Sequence, residues 1–94
     1  NNDGSIIRLS IPQLTEERRK EMVKILKNKA EEMRIAIRNI RRDANEDLKE
    51  LQNLGELSED NYHRGLENMQ EITNDYIEKI DKITVEKEAE IMEV

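Results

Sequence analysis

Cysteine is absent from the 94 residues, which excludes disulfides and thiolate metal sites and leaves the redox compartment unmarked. Tryptophan and phenylalanine are absent as well, and aromatics reach only 2% through two tyrosines. No bulky ring is available to anchor a deep globular core, so burial must come from helix seams lined with Ile, Leu and Met. One proline and three glycines leave few places to break a helix or turn a strand. No apolar run approaches the roughly 20 residues that cross a bilayer, and no secretory leader is visible. The expectation is a soluble cytosolic protein without membrane contact.

The chemistry-bearing residue types are equally sparse. His63 is the single histidine, and a metal site takes about three or four protein ligands. A surface side chain at helical spacing from Glu59 and Glu67 is the simpler reading. Gly-rich phosphate loops, nucleophile elbows and Cys/His clusters are missing. Met22, Met33, Met69 and Met92 read as packing residues rather than a cofactor box. The residues therefore predict no catalytic group, no metal, no cofactor and no enzyme.

What the chain does contain is charge. Charged residues make up 40% and hydrophobic residues 35%, a balance that suits long amphipathic helices with a narrow apolar stripe. The formal net charge is −6, which by itself argues against a polyanionic partner. The total hides an asymmetry. Residues 15–54 hold 11 Lys/Arg against 9 Asp/Glu, whereas residues 55–94 hold 4 against 12. The cations gather in the first half, and the carboxylates of the second half read as solubility and electrostatic steering.

Residues 1–14 differ from the rest. Asn2-Asp3-Gly4-Ser5 is turn chemistry. Ile7, Leu9 and Ile11 then alternate with Ile6, Arg8 and Ser10 in the period-two pattern of a strand, which Pro12 ends. A lone strand cannot form a sheet. It is either a stray extended arm or the last piece of a β domain lying upstream.

From residue 15 the pattern is helical. Thr15 suits an N-cap, and Glu16 and Glu17 favour the positive end of a helix dipole. With neither Gly nor Pro before Gly55, the spacing predicts a helix of about 39 residues, near 58 Å long. Met22, Leu26, Ala30, Met33, Ile37, Ile40, Ala44, Leu48 and Leu51 step by three or four and form one seam. Gly55 closes this helix and Ser58 caps the next. The second seam runs through Tyr62, Leu66, Met69, Ile72, Tyr76, Ile80 and Ile83 towards Ile91. A short connection forces the two helices to be antiparallel.

The expected fold is all-α, a long antiparallel helical hairpin over residues 15–94 with a short N-terminal extended arm. Two helices alone are a weak domain. Val23, Ile25, Ile35, Ile77 and Val85 lie off the main seams and predict surface for a third helix, either outside this chain or from another copy of the hairpin.

One candidate binding feature remains. On a wheel of about 100° per residue, Lys20, Lys24, Lys27, Arg38, Arg41, Arg42 and Lys49 fall within about 100° around Arg34. Glu31 and Asn45 are exceptions inside this stripe. A solvated face with ion pairs between successive turns accounts for such a stripe. Four arginines between positions 34 and 42 make RNA an equal alternative on pattern alone, because a guanidinium is a planar fork of donors that fits phosphate oxygens. With no aromatic near the stripe, contacts would go to phosphate, ribose and helix shape rather than to stacked bases.

The string Arg38-Asn39-Ile40-Arg41-Arg42-Asp43-Ala44-Asn45 resembles a signature of the ribosome recycling factor family. So do the run from Ile11 through Pro12 to Lys20, the turn Leu57-Ser58-Glu59-Asp60, and the end Lys87-Glu88-Ala89-Glu90-Ile91-Met92. The resemblance covers nearly the whole chain but about half of the family's usual length. It implies an L-shaped protein with a three-helix bundle and a small β-rich domain inserted after the bundle's first helix. Residues 1–14 would then be the last β strand and the hinge, and the hairpin the remaining two bundle helices. It further implies binding to the 70S ribosome and disassembly of the post-termination complex with elongation factor G. Arg38 and Arg41 would contact 23S rRNA, with Arg34 and Arg42 in support and Asn45 assisting. The competing reading is a structural or adaptor hairpin whose seam binds partner helices, or a second copy of itself, while its charges only solubilise it.

Overall fold

The computed structural model describes residues 15–93. The strand and hinge expected over residues 1–14 lie outside that range, as does residue 94.

Two helices account for nearly all of the described chain. Thr15 is extended (φ −65°, ψ 156°), and its Oγ1 accepts the Arg18 backbone N–H at 3.0 Å, satisfying one of the helix's orphan donors. Helix α1 then runs over Glu16–Asn53, 38 residues. It stops one residue short of the expected end because Leu54 is the C-cap and Gly55 is the residue beyond it. Gly55 has φ +76°, its N–H donates to Gln52 O at 3.0 Å, and the Glu56 N–H donates to Leu51 O at 2.9 Å. This pair of bonds closes a helix through a left-handed residue, a conformation that costs an L side chain about 1–2 kcal/mol. Ser58 is again extended, and its Oγ accepts the Asn61 N–H at 3.1 Å. Helix α2 follows over Glu59–Met92, 34 residues, antiparallel to α1.

The helices meet along a line of small residues. Ala30, Thr73 and Ile80 are the buried side chains among the described residues. Lower down, Leu48 lies over Gly65, where an added Cβ would come within 2.9 Å of its Cδ1. Thr73 tolerates burial because its hydroxyl donates to Met69 O at 2.6 Å within its own helix; Thr84 does the same to Ile80 O at 2.6 Å.

This contact line is offset from the seam read in the sequence. Relative to Arg34, Ala30 and Leu48 sit at about 320° on the α1 wheel, whereas Met33, Ile40 and Leu51 sit at about 240–260°. The second group stays exposed, Met33 at 54% and Ile40 at 64%. Ile72, Tyr76 and Ile83 of α2 are exposed beside them. Ile40, Ile72 and Tyr76 line one apolar groove of about 260 Å³, and Met33 and Ile83 a second of about 230 Å³. The surface left for a further helix is thus built from the outer half of the main seams. Val23 and Ile77, expected to serve that surface, are half-buried instead, since their wheel positions fall near the contact line.

Ile80 and Ile83 give a direct comparison. Ile80→Ala should cost about 2–4 kcal/mol in urea unfolding followed by circular dichroism. Ile83→Ala, on the open side, should cost less than about 1 kcal/mol. Equal losses would mean that the contact line is misplaced.

Candidate nucleic-acid interface

Across the contact line, the hairpin is joined by polar side chains at seven-residue intervals along α1, the last of which, Arg41, also lines the larger apolar groove. Lys27 Nζ lies 3.7 Å from Glu88. Arg34 is held by Asp81, with Nε donating to Oδ1 at 2.8 Å and Nη2 in ion-pair contact with the same oxygen at 2.6 Å. Arg41 Nη1 donates to Gln70 Oε1 at 3.2 Å. In an antiparallel pair, residues advancing by seven on one helix meet residues receding on the other. Glu88 and Asp81 follow that rule; Gln70 reaches Arg41 from one turn further along.

The five residues expected at an RNA contact therefore occupy different environments. The Arg34 side chain is 22% exposed and also donates to Glu31 at 3.1 Å. The hydrogen bond to Asp81 raises its pKa, outweighing partial desolvation, and Glu31 adds to the rise. Such a raised pKa stabilises the fold at every pH below the ordinary arginine value and is lost only above it, so Arg34 stays charged throughout the working range. That charge is already matched by two carboxylates.

Arg38 is half-exposed, with Nη1 4.0 Å from Glu31. Arg41 is half-buried and Arg42 exposed. Arg42 Nη1 donates to Asn39 Oδ1 at 3.2 Å on its own helix. Asn45 is half-buried, and its Oδ1 meets no hydrogen-bond donor of the protein. Arg38 and Arg42, one turn apart, thus form the outward edge, joined by the exposed Lys20, Lys24 and Lys49. Arg34, Arg41 and Asn45 lie towards α2.

Sequence reasoning missed the partners. Asp81, Gln70 and Asn39 were not singled out, although the heptad spacing of Lys27, Arg34 and Arg41 against Asp81 and Glu88 carries the signal. Glu31, noted only as an interruption of the stripe, is the carboxylate between Arg34 and Arg38. His63 is exposed, 3.9 Å from Glu59. Among the described residues no group of three His, Cys, Asp or Glu is placed to hold a metal ion. No described helix is long and apolar enough to cross a membrane.

These features define a helical hairpin scaffold with one apolar side and one cationic edge. The chain belongs to the ribosome recycling factor family, whose match extends over residues 1–92. It is 64% identical to the ribosome-recycling factor of Halothermothrix orenii over 93 residues, covering 99% of this chain and 50% of that relative. It is 60% identical to the factor of Listeria innocua, covering 100% of this chain and 51% of the relative. Against the Bacillus subtilis factor identity is 54%, with 50% of the relative covered. The chain spans about half the length of the curated relatives it matches.

The cross-helix geometry separates the arginines by role. Arg34→Ala should lower the melting temperature, and adding Asp81→Ala should lower it little further, because the pair acts as one unit. Arg42→Ala should leave it unchanged. Strictly additive losses at Arg34 and Asp81 in thermal melts would refute the pairing.

Proposed function

We propose that this chain is the ribosome-docking helical part of a cytoplasmic translation factor that helps disassemble post-termination ribosomes. The observation that supports this reading is the family match over residues 1–92, together with the outward cationic edge at Arg38 and Arg42. The edge lays guanidinium forks along phosphates of 23S rRNA in the large subunit of the 70S ribosome. Arg41 adds a third fork at the rim of the helix interface. Arg34, already matched by Asp81 and Glu31, holds the scaffold rather than the RNA, and Asn45, whose Oδ1 meets no donor of the protein, assists beside Arg41 and Arg42. The chain performs no chemistry of its own. Elongation factor G supplies the work through nucleotide hydrolysis, and the hairpin transmits it as a stiff rod about 57 Å long.

Binding to purified 70S ribosomes across a salt series tests this. Affinity should fall with a log–log slope of about −0.7 for each phosphate neutralised, using the single-strand coefficient. Arg38→Ala/Arg42→Ala should weaken binding by about tenfold or more and make the slope shallower by about 1.4. Arg34→Ala should leave the slope nearly intact. Binding that ignores both salt and the double substitution would reject the RNA reading.

The apolar grooves favour a second reading, in which the hairpin works through helix association. Exposed Met33, Ile40, Tyr76 and Ile83 make a continuous sticky side, and apolar burial is indifferent to low salt. On this reading the isolated chain pairs with a second copy as a four-helix dimer. Sedimentation should then show concentration-dependent mass that Ile40→Glu/Ile83→Glu abolishes, whereas a fully helical monomer at all concentrations would defeat it.

A further inference from the structure

Side-chain amides, not carboxylates, hold two of the four clustered arginines. Arg34 is matched by Asp81 and Glu31, and Arg38 stands at the edge of Glu31's reach. Arg41 and Arg42 are bound differently, by Gln70 and Asn39, which carry no charge. An amide oxygen fixes a guanidinium by one of its five N–H donors and leaves the positive charge and the remaining donors available. A carboxylate at the same place would fix it and cancel it.

The Gln70 contact is itself directed. Gln70 Nε2 donates to Asn74 Oδ1 at 2.8 Å, one turn along α2. With its NH₂ engaged there, the amide presents its oxygen to Arg41 and not its nitrogen, which would repel the guanidinium. The chain Asn74–Gln70–Arg41 therefore runs acceptor to donor without a break. It crosses the helix interface, so the position of Arg41 is set by α2.

We infer that Gln70, oriented by Asn74, is a positioning residue for anion binding by Arg41: the second helix pre-orders a charged fork for a phosphate of RNA without neutralising it. The inference rests on the RNA-docking reading above. It adds that α2, the acidic helix, takes part in recognition through an uncharged pair, and that replacing this amide by its isosteric acid is disruptive. Pre-ordering one long side chain is worth about 0.5–1.5 kcal/mol in binding, which is roughly two- to tenfold in affinity.

The test is the affinity of this chain for purified large ribosomal subunits across a salt series, with helicity checked by circular dichroism for each variant. Gln70→Ala should weaken binding roughly two- to tenfold and leave the salt slope unchanged, since Arg41 keeps its charge. Gln70→Glu should match Arg41→Ala in affinity and make the slope shallower by about 0.7, although it is the more conservative change in shape. Gln70→Ala placed on Arg41→Ala should add no further loss. Asn74→Ala should weaken binding in the same direction as Gln70→Ala and by no more.

If Arg41→Ala weakens binding while Gln70→Glu leaves both affinity and slope unchanged, the positioning role is overturned and the RNA reading stands. If Arg41→Ala has no effect, Arg41 is not an RNA contact and the inference fails at its base. Absence of salt-dependent binding by the unaltered chain overturns the RNA reading and this inference with it.

Discussion

The hairpin depends on where the small residues lie. Two long helices can approach closely only where side chains are short, and here those places are Ala30, Gly65 and Thr73. They fix the line along which α2 leans on α1. Because that line runs along one margin of the apolar seam instead of its centre, two consequences follow together. The outer half of each seam, with Ile40 and Tyr76, is left uncovered. The cations next to the other margin, Arg34 and Arg41, are drawn into reach of α2. A contact line centred on the seam would have covered Met33 and Ile40 and left every arginine on a solvent edge.

Given that offset, charge on the two helices can no longer be read helix by helix. Lys27, Arg34 and Arg41 point into a neighbour that carries the acidic half of the composition, and the fold must decide which cations are matched. It does so by the identity of single residues on α2. Asp81 opposite Arg34 yields a hydrogen-bonded ion pair through one carboxylate oxygen, whereas Gln70 opposite Arg41 yields a hydrogen bond and no ion pair. An exposed ion pair contributes little to stability, but a pair repeated across an antiparallel interface penalises slipped registers. Shifting α2 by one turn would set Arg34 against Ile77 or Val85 instead of Asp81. Register and the accessibility of charge are thus settled by the same residues.

Much of this architecture was legible in the chain of letters, for reasons that are local. Thr15, Gly55 and Ser58 mark helix ends because caps are made by donors and acceptors within five residues, and the structure shows each bond. The antiparallel hairpin follows from the short connection between them. What the wheel could not supply is its own zero: periodicity shows which residues share a face, not which part of that face the partner covers. The covered part was set by the small side chains of the other helix, so Val23 and Ile77 were assigned outward and are half-buried. The same limit divided the arginine stripe. Arg38 and Arg42 have partners only on their own helix, while the partners Asp81 and Gln70 of Arg34 and Arg41 lie 47 and 29 residues away, beyond the reach of helical spacing.

A chain of net charge −6 with a cationic edge invites the objection that its own carboxylates should repel a polyanion. Distance and screening answer it. Neighbouring helix axes lie about 8–10 Å apart, and at physiological ionic strength exposed charges are screened over about 8 Å. Carboxylates on the far side of α2 therefore act weakly on a phosphate at the edge of α1. They act strongly on one that approaches α2 itself. For the proposed RNA contact the acidic helix is consequently not a defect but a constraint on orientation: it leaves one edge by which a phosphate backbone can be approached. Uncharged residues such as Gln70 and Asn74, where α2 comes nearest that edge, keep the acid at a distance from the arginines that are left unmatched.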